Sequence, residues 1–351
     1  MPNIAKSGSY VEFTSLSKEM ALIPVRQNIL GALGLFTAEY LNTDTVVIPR
    51  VQVKDYVYSD VAWGTRVKNN ANNTKGVLTL PIPASAGEEA ITPLDVRGKF
   101  NWDDIVSANR PESVQALMAR KMQTIKQAYA NTWSKAMMQV VRDGTAYAPN
   151  GTLATSYGST VDFFQEFGVT QQTVAFTLAD ESVSPKAKCK EVIRKIQDTF
   201  QGGFIPNNFL GIADRGFFDL LEAHPYVVDG NKAIINGQSL DVVLGRLGFG
   251  GLSLDGRYEV VDFGGITWIC AAAGEMTANE ARVFPTDVPD LFKVFFAPSI
   301  ENFDVANATA EQVYYYEYMS DRRDLVEIHH ESNFLFATLW PASIIKCTTT
   351  V

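Results

Sequence analysis

Residues Pro111 to Val141 carry the pattern that most restricts how this chain folds. Val114, Leu117, Met118, Ile125, Tyr129, Trp133, Ala136, Met137 and Val140 recur three or four residues apart, with Arg120, Lys121, Lys126 and Lys135 between them. That spacing lays one apolar stripe along a helix and leaves the charges on the other face. Asn109 suits the cap, Pro111 the first turn and Gly144 the stop. The result is a rod of roughly 30 residues, about 45 Å long at 1.5 Å per residue. Few small enzymes need such a rod across one domain.

The flanking sequence is of a different kind. Met1 to Tyr40 alternates short apolar clusters with glycine, and "PVRQNILGALGLF" (Pro24 to Phe36) is spaced too irregularly for a helix, so an extended arm is expected. The β-branched run from Thr43 to Val53 predicts a strand, which Pro49 confines to an edge or a bulge. From there to Arg97 the chain is polar and rich in Asn, Gly and Pro, with only short β-prone pieces such as Val77 to Ile82. A stretch of this length without its own core is usually functional or mobile.

Beyond the rod, Pro185 to Met276 reads as an α+β module. Ser184-Pro185 opens a helix with Val192, Ile193, Ile196 and Phe200 on one face, and "NNFLGIA" (Asn207 to Ala213) reads as a strand. Asp214 caps a second helix that Pro225 stops. Tyr258 to Ala272 predicts a hairpin whose Gly264-Gly265 supplies the positive φ that two-residue turns require. The tail from Phe292 to Val351 is strand-rich, with "QVYYYEYM" and "FLFATLW" its most β-prone pieces.

Composition narrows the function. The chain has 351 residues, 46% hydrophobic and 20% charged, enough for one large domain or two medium ones. Thirty basic against thirty-nine acidic residues leave a net charge of −9, which argues against tight, sequence-independent binding to DNA or to an anionic membrane. Cys189, Cys270 and Cys347 are far apart with no C-x-x-C pair, so neither a disulfide framework nor a structural zinc site is expected, and synthesis in a reducing cytosol fits. No stretch reaches the roughly 18 apolar residues of a membrane span, and the N-terminus lacks a secretory h-region. The N-x-T sequons at Asn72, Asn150 and Asn307 are therefore read as accidental.

The chemical candidates are few. "EIHHESNFLFATLW" (Glu327 to Trp340) sets His329 and His330 between two glutamates, as in a metal site. On a strand, neighbours point to opposite faces, so the pair cannot share one metal. Glu327, His329 and Glu331 would share one face, and a solvated polar face is the preferred reading. "RLGFGGLSLDG" (Arg246 to Gly256) lacks Gly-Lys-Ser/Thr, and the dinucleotide pattern breaks at Ser253, which leaves a glycine loop. With histidine only at His224, His329 and His330 and no G-x-S-x-G, a nucleophile and base have little to build on. Asp103-Asp104 suit the positive end of a helix dipole better than catalysis. No catalytic residue, cofactor or metal site is assigned. A metal-dependent hydrolase using His329 and Glu331 is the alternative from the enzyme class.

Local sequence carries a resemblance along nearly the whole chain. Leu22 to Ile48 is similar to the N-terminal signature of the lambda E-like family of tailed-phage major capsid proteins, and Ser113 to Ile125 looks like its spine helix. Val161 to Val169 resembles the segment after that helix, and "ADRGFFDLLEAHPYV" (Ala213 to Val227) the Phe-Phe-x-x-Leu-x-x-His-Pro block. "FFAPSIENFDVANATAEQVYYYEY" and "HHESNFLFATLWPASII" resemble the family's Tyr-Ala-Pro block and its Glu-x-x-Ser-Asn-Pro-Leu segment, with Phe334 where proline is usual.

The resemblance implies an α+β Hong Kong 97-type capsid fold: residues 1–45 as an N-terminal arm, 46–100 as an extended loop, 101–184 as the first part of a peripheral domain with the spine helix, 185–280 as an axial domain, and 281–351 as peripheral return strands. It implies self-assembly into hexamers and pentamers of an icosahedral shell, made in the bacterial host cytoplasm and enclosing double-stranded DNA without gripping it. A portal and a decoration protein are expected partners. With no long charged helical prefix before the arm, scaffolding is expected from a separate chain. Candidates for contact between subunits are Arg66, Lys68 and Lys75 in the extended loop, Gly250 in the glycine loop, and Trp133 on the long helix. Another repeating phage component, such as a tail tube, is the structural alternative.

Overall fold

The computed structural model describes residues 29–52, 74–96, 114–146, 161–200, 205–227, 258–300, 305, 308–319 and 326–349. The rod is present as α1, Val114–Asp143, 30 residues long. Gly144 ends it with a φ of 66°, and its N–H bonds the Val140 carbonyl at 3.0 Å. A Cβ there would lie 2.2 Å from Phe164 Cε2, so both backbone and space require glycine. Asn109 and Pro111, read as its start, lie outside the described residues.

The two halves of α1 pack on different partners. Leu117, Met122, Ile125 and Tyr129 join a small core with Ile91, Tyr315 and Ile328. Ala136, Met137, Val140 and Val141 join a large core with Leu210, Ile212, Ile269 and Phe284. Trp133 packs against both.

Thirteen strands are described. In chain order the first seven are β1 (Phe36–Tyr40), β2 (Thr45–Gln52), β3 (Thr74–Pro81), β4 (Ala84–Ile91), β5 (Thr173–Phe176), β6 (Phe209–Ala213) and β7 (Val260–Phe263). The rest are β8 (Ile266–Cys270), β9 (Glu280–Pro285), β10 (Phe292–Phe296), β11 (Tyr314–Met319), β12 (Val326–Thr338) and β13 (Ile345–Thr349). A five-stranded sheet runs β1-β10-β12-β11, with β4 also on β12. A six-stranded sheet runs β5-β13-β9-β6-β8-β7, and β2 and β3 form a separate ribbon.

The helices of the α+β module are α2, Lys186–Thr199, and α3, Arg215–Ala223. Asp214 caps α3 by accepting from the Gly216 N–H at 3.1 Å, and it also accepts from the Asn279 N–H at 2.9 Å. The expected hairpin is β7–β8, with Gly264 and Gly265 at φ 68° and 86°. Its six-stranded sheet reaches beyond 185–280, since β5, β9 and β13 come from either side. Gly211 faces Trp268 across β6 and β8, where a Cβ would lie 2.6 Å from the indole.

Two expectations about the elements before the long helix need correction. Ile29–Ala32, inside the stretch read as extended arm, is a helical turn with Ile29 and Leu30 fully buried. Its apolar residues are few, and the turn is held by the core it enters. The polar stretch before Arg97 is also less coreless than it reads: Leu78, Leu80, Ile82 and Ile91 are buried, and "ASAGEEAI" is strand β4. Glycine and glutamate are poor strand formers, and register with β12 holds β4 extended.

Candidate assembly surfaces

The ribbon presents the clearest outward surface. Along β2 and β3, Val46, Ile48, Leu78 and Leu80 are buried, whereas Val47 and Val77 are 60% and 65% exposed. Thr79 opposite Val47 and Val77 opposite Pro49 put the two valines on one face. Among the described residues neither strand of the ribbon has a second partner strand, and an edge strand tolerates Pro49, which lacks an N–H. At its root lies a cleft of about 300 Å³ lined by Thr43, Val46 and Ile48 together with Glu39, Leu41, Lys293, Phe295 and Leu339. Lys293 bridges to Glu39 at 3.2 Å and to Asp290 at 3.5 Å.

Of the contact candidates, Arg66, Lys68 and Gly250 lie outside the described residues. Lys75 is placed on β3 opposite Val51. Trp133 is half-buried within its own subunit, edge-on to Phe296 at 6.0 Å and Phe334 at 6.4 Å and tilted against Tyr129 at 6.3 Å. Its indole N–H is buried without a hydrogen-bond partner among the described residues.

The histidine pair sits on strand β12, its members on opposite faces. His329 is across from Tyr316 and Glu88, with Nε2 3.2 Å from a Glu327 oxygen. His330 faces α1, where its Nδ1 lies 2.7 Å from the Tyr129 hydroxyl. That hydroxyl donates to the Ser85 carbonyl at 3.1 Å, so the Nδ1–H tautomer completes the chain of bonds. Burial holds the His330 pKa below its ordinary 6.5, with Glu89 pulling upward and His329 downward. Nearby, Lys121 Nζ bonds Glu89 at 2.8 Å and the Ala90 carbonyl at 2.9 Å. These bonds staple α1 to β4 and β12, and Gly87 leaves room for the imidazole, since a Cβ there would lie 2.6 Å from it.

The reading of Glu327, His329 and Glu331 as a solvated face fails at Glu331, which is fully buried. The Ser299 hydroxyl donates to it at 2.5 Å, the Ile300 N–H at 2.9 Å, and the Asn333 amide also donates. The segment 298–300 covers that face, and three donors make the buried carboxylate tolerable. His330 is likewise a structural residue, held through Tyr129 between α1 and β4. Glu331 is sealed and His329 engaged by Glu327, so they form no open metal site. Among the described residues there is no His, Cys, Asp and Glu cluster of metal-binding size.

Cys189, Cys270 and Cys347 are buried and free. Burial pushes the Cys189 thiol up to about 12 and the Cys347 thiol up as well, so both are protonated packing groups at neutral pH. No helix among the described residues is long and apolar enough to cross a membrane.

Comparison with known proteins agrees with this architecture. The family model for phage major capsid protein E matches residues 12–349. The chain is 27% identical over 348 residues to the major capsid protein of Pseudomonas phage KPP10, spanning 95% of this chain and 96% of that protein. A solved protein assigned as the capsid protein of a prophage of E. coli CFT073 superposes with a TM-score of 0.59 at 11% identity, covering 98% of this chain and 100% of that one. A phage-related protein of Bordetella bronchiseptica RB50 gives 0.51 at 12% identity, covering 97% of each. At such identities the structures speak for the fold, which is the Hong Kong 97-type capsid architecture. With the family match running through both sheets, the ribbon and the long helix, the chain belongs to the phage major capsid protein E family.

Proposed function

We propose that copies of this chain close, as hexamers and pentamers, into the icosahedral shell around the double-stranded DNA genome of a tailed bacteriophage. The observation that carries this reading is the ribbon, whose inner face is anchored in the subunit core while its outer face offers Val47 and Val77 to solvent. Adjacent exposed valines gain by burial against another copy. Residues 46–100 act as the extended loop behind the arm of residues 1–45. The module at 185–280, its sheet completed by β5, β9 and β13, is the axial domain, and the remainder of 101–184 and 281–351 makes the peripheral one. The role is structural rather than catalytic. A net charge of −9 suits a wall that encloses DNA without gripping it. Arg66, Lys68, Lys75 and Gly250 are contact residues in this reading. A separate scaffolding chain, a portal and a decoration protein are the partners, and subunits made in the host cytoplasm end in the virion.

Electron microscopy of the expressed chain, alone and with a scaffolding protein, tests the proposal. Closed shells are expected, and Val47→Lys with Val77→Lys should leave a folded subunit that does not close them. Open tubes from the wild-type chain would favour a tail component and overturn the shell.

A further inference from the structure

One buried arginine stands where the long helix meets the six-stranded sheet. Arg282 lies on β9, between β13 and β6, and is 3% exposed. Its Nε–H donates to the Arg142 carbonyl at 2.7 Å, and its two terminal nitrogens donate to the Ala281 carbonyl at 3.2 Å and to Glu280 Oε2 at 3.0 Å. The other Glu280 oxygen takes Lys346 Nζ from β13 at 2.5 Å. Arg142 is in the last turn of α1, where carbonyls lack intrahelical partners and carry the negative end of the helix dipole. The guanidinium thus ties the end of the helix to the middle of the sheet.

We propose that Arg282 sets the angle between α1 and the six-stranded sheet, and through it the curvature at which copies of the chain close. This rests on the shell reading above. The lever is geometric: α1 is about 45 Å long, so a turn of about 5° at its C-terminal end moves the far end by roughly 4 Å. That far half is stapled to β4 and β12 through Lys121–Glu89 and Tyr129–His330, so the displacement is carried into the other sheet. A flat guanidinium can bond the helix carbonyl and Glu280 at once, in fixed directions, whereas an ammonium on a flexible stem cannot hold both. Arg282 is a positioning residue, acting on subunit contacts it does not touch.

Arg282→Lys and Arg282→Gln, each assembled as the full chain beside wild type, test this, with Lys188→Met as a control at an ion pair within α2, away from the joint. Thermal unfolding of free subunits reports folding, and electron microscopy reports shell diameter. The Arg282 variants are expected to fold and to give shells whose mean diameter shifts beyond the wild-type spread, or open sheets, while Lys188→Met keeps the wild-type diameter. Folded Arg282 variants that close shells of wild-type diameter would overturn the proposal. So would failure of both to fold, which would assign the arginine to stability alone. Wild-type chains that never close shells would instead overturn the shell reading.

Discussion

Glu331 shows how little a side chain's type says about its surroundings. A glutamate on a strand between His330 and Ser332 reads as a solvated residue, yet Ser299, Ile300 and Asn333 all donate to it in the interior. Glu331→Ala leaves those donors buried without an acceptor and should cost about 3 kcal/mol or more in urea unfolding of the free subunit. His330 adds a pH dependence. Its folded pKa is depressed below 6.5, so the unfolded chain binds the proton more readily. The contribution is fully present above 6.5 and falls as pH drops through that value toward the folded one. His330→Gln should therefore flatten the stability profile as pH falls below about 6.5. Trp133→Asp places an unpaired charge among Tyr129, Phe296 and Phe334 and should cost about 3 kcal/mol or more, whereas Trp133→Phe should fold. Normal particles from the aspartate variant would contradict the packed setting.

Elements set by local chemistry behave differently from elements set by their neighbours. Helix α1 announces itself through apolar spacing and a glycine stop, and Gly144→Ala is expected to lower the melting temperature because it strains a φ of 66° and drives a methyl into Phe164. A wild-type melting curve from that variant would show the helix ending differently. Strand β4 has no such signature. "ASAGEEAI" contains neither a β-branched run nor clean alternation, and its register with β12 from Ala84 to Ile91 is what extends it. The turn at Ile29–Ala32 is too short to be stable alone and exists because Ile29 and Leu30 have a core to enter.

At the scale of the whole molecule, α1 joins two sheets, and the Glu280 joint makes that union sensitive to acid. Burial works to raise the Glu280 pKa, but Lys346 and Arg282 outweigh it and hold the carboxyl below its ordinary 4.5. A depressed carboxylate contributes stability that is present above 4.5 and is lost as pH falls through the folded value. Lys346→Met removes one of the two cations, so its acid-unfolding midpoint should move to higher pH than wild type. An unchanged midpoint would show that the ammonium does not hold Glu280. The same joint sits between strands far apart in sequence, since β13 lies beside β9 and β5.

The sequence by itself determined the rod, its glycine stop, the Asp214 cap and the Gly264-Gly265 hairpin, because each depends on spacing or backbone freedom within a few residues. It also carried the family resemblance, which the match over residues 12–349 bears out. What only the tertiary structure decided depends on residues distant in the chain. The burial of Glu331 requires segment 298–300, the place of His330 requires Tyr129 and Gly87, and the bond from Arg282 to the end of α1 spans 140 positions. Periodicity within one segment does not reveal which distant group will cover it, and that coverage decides whether a polar side chain meets water or a buried partner.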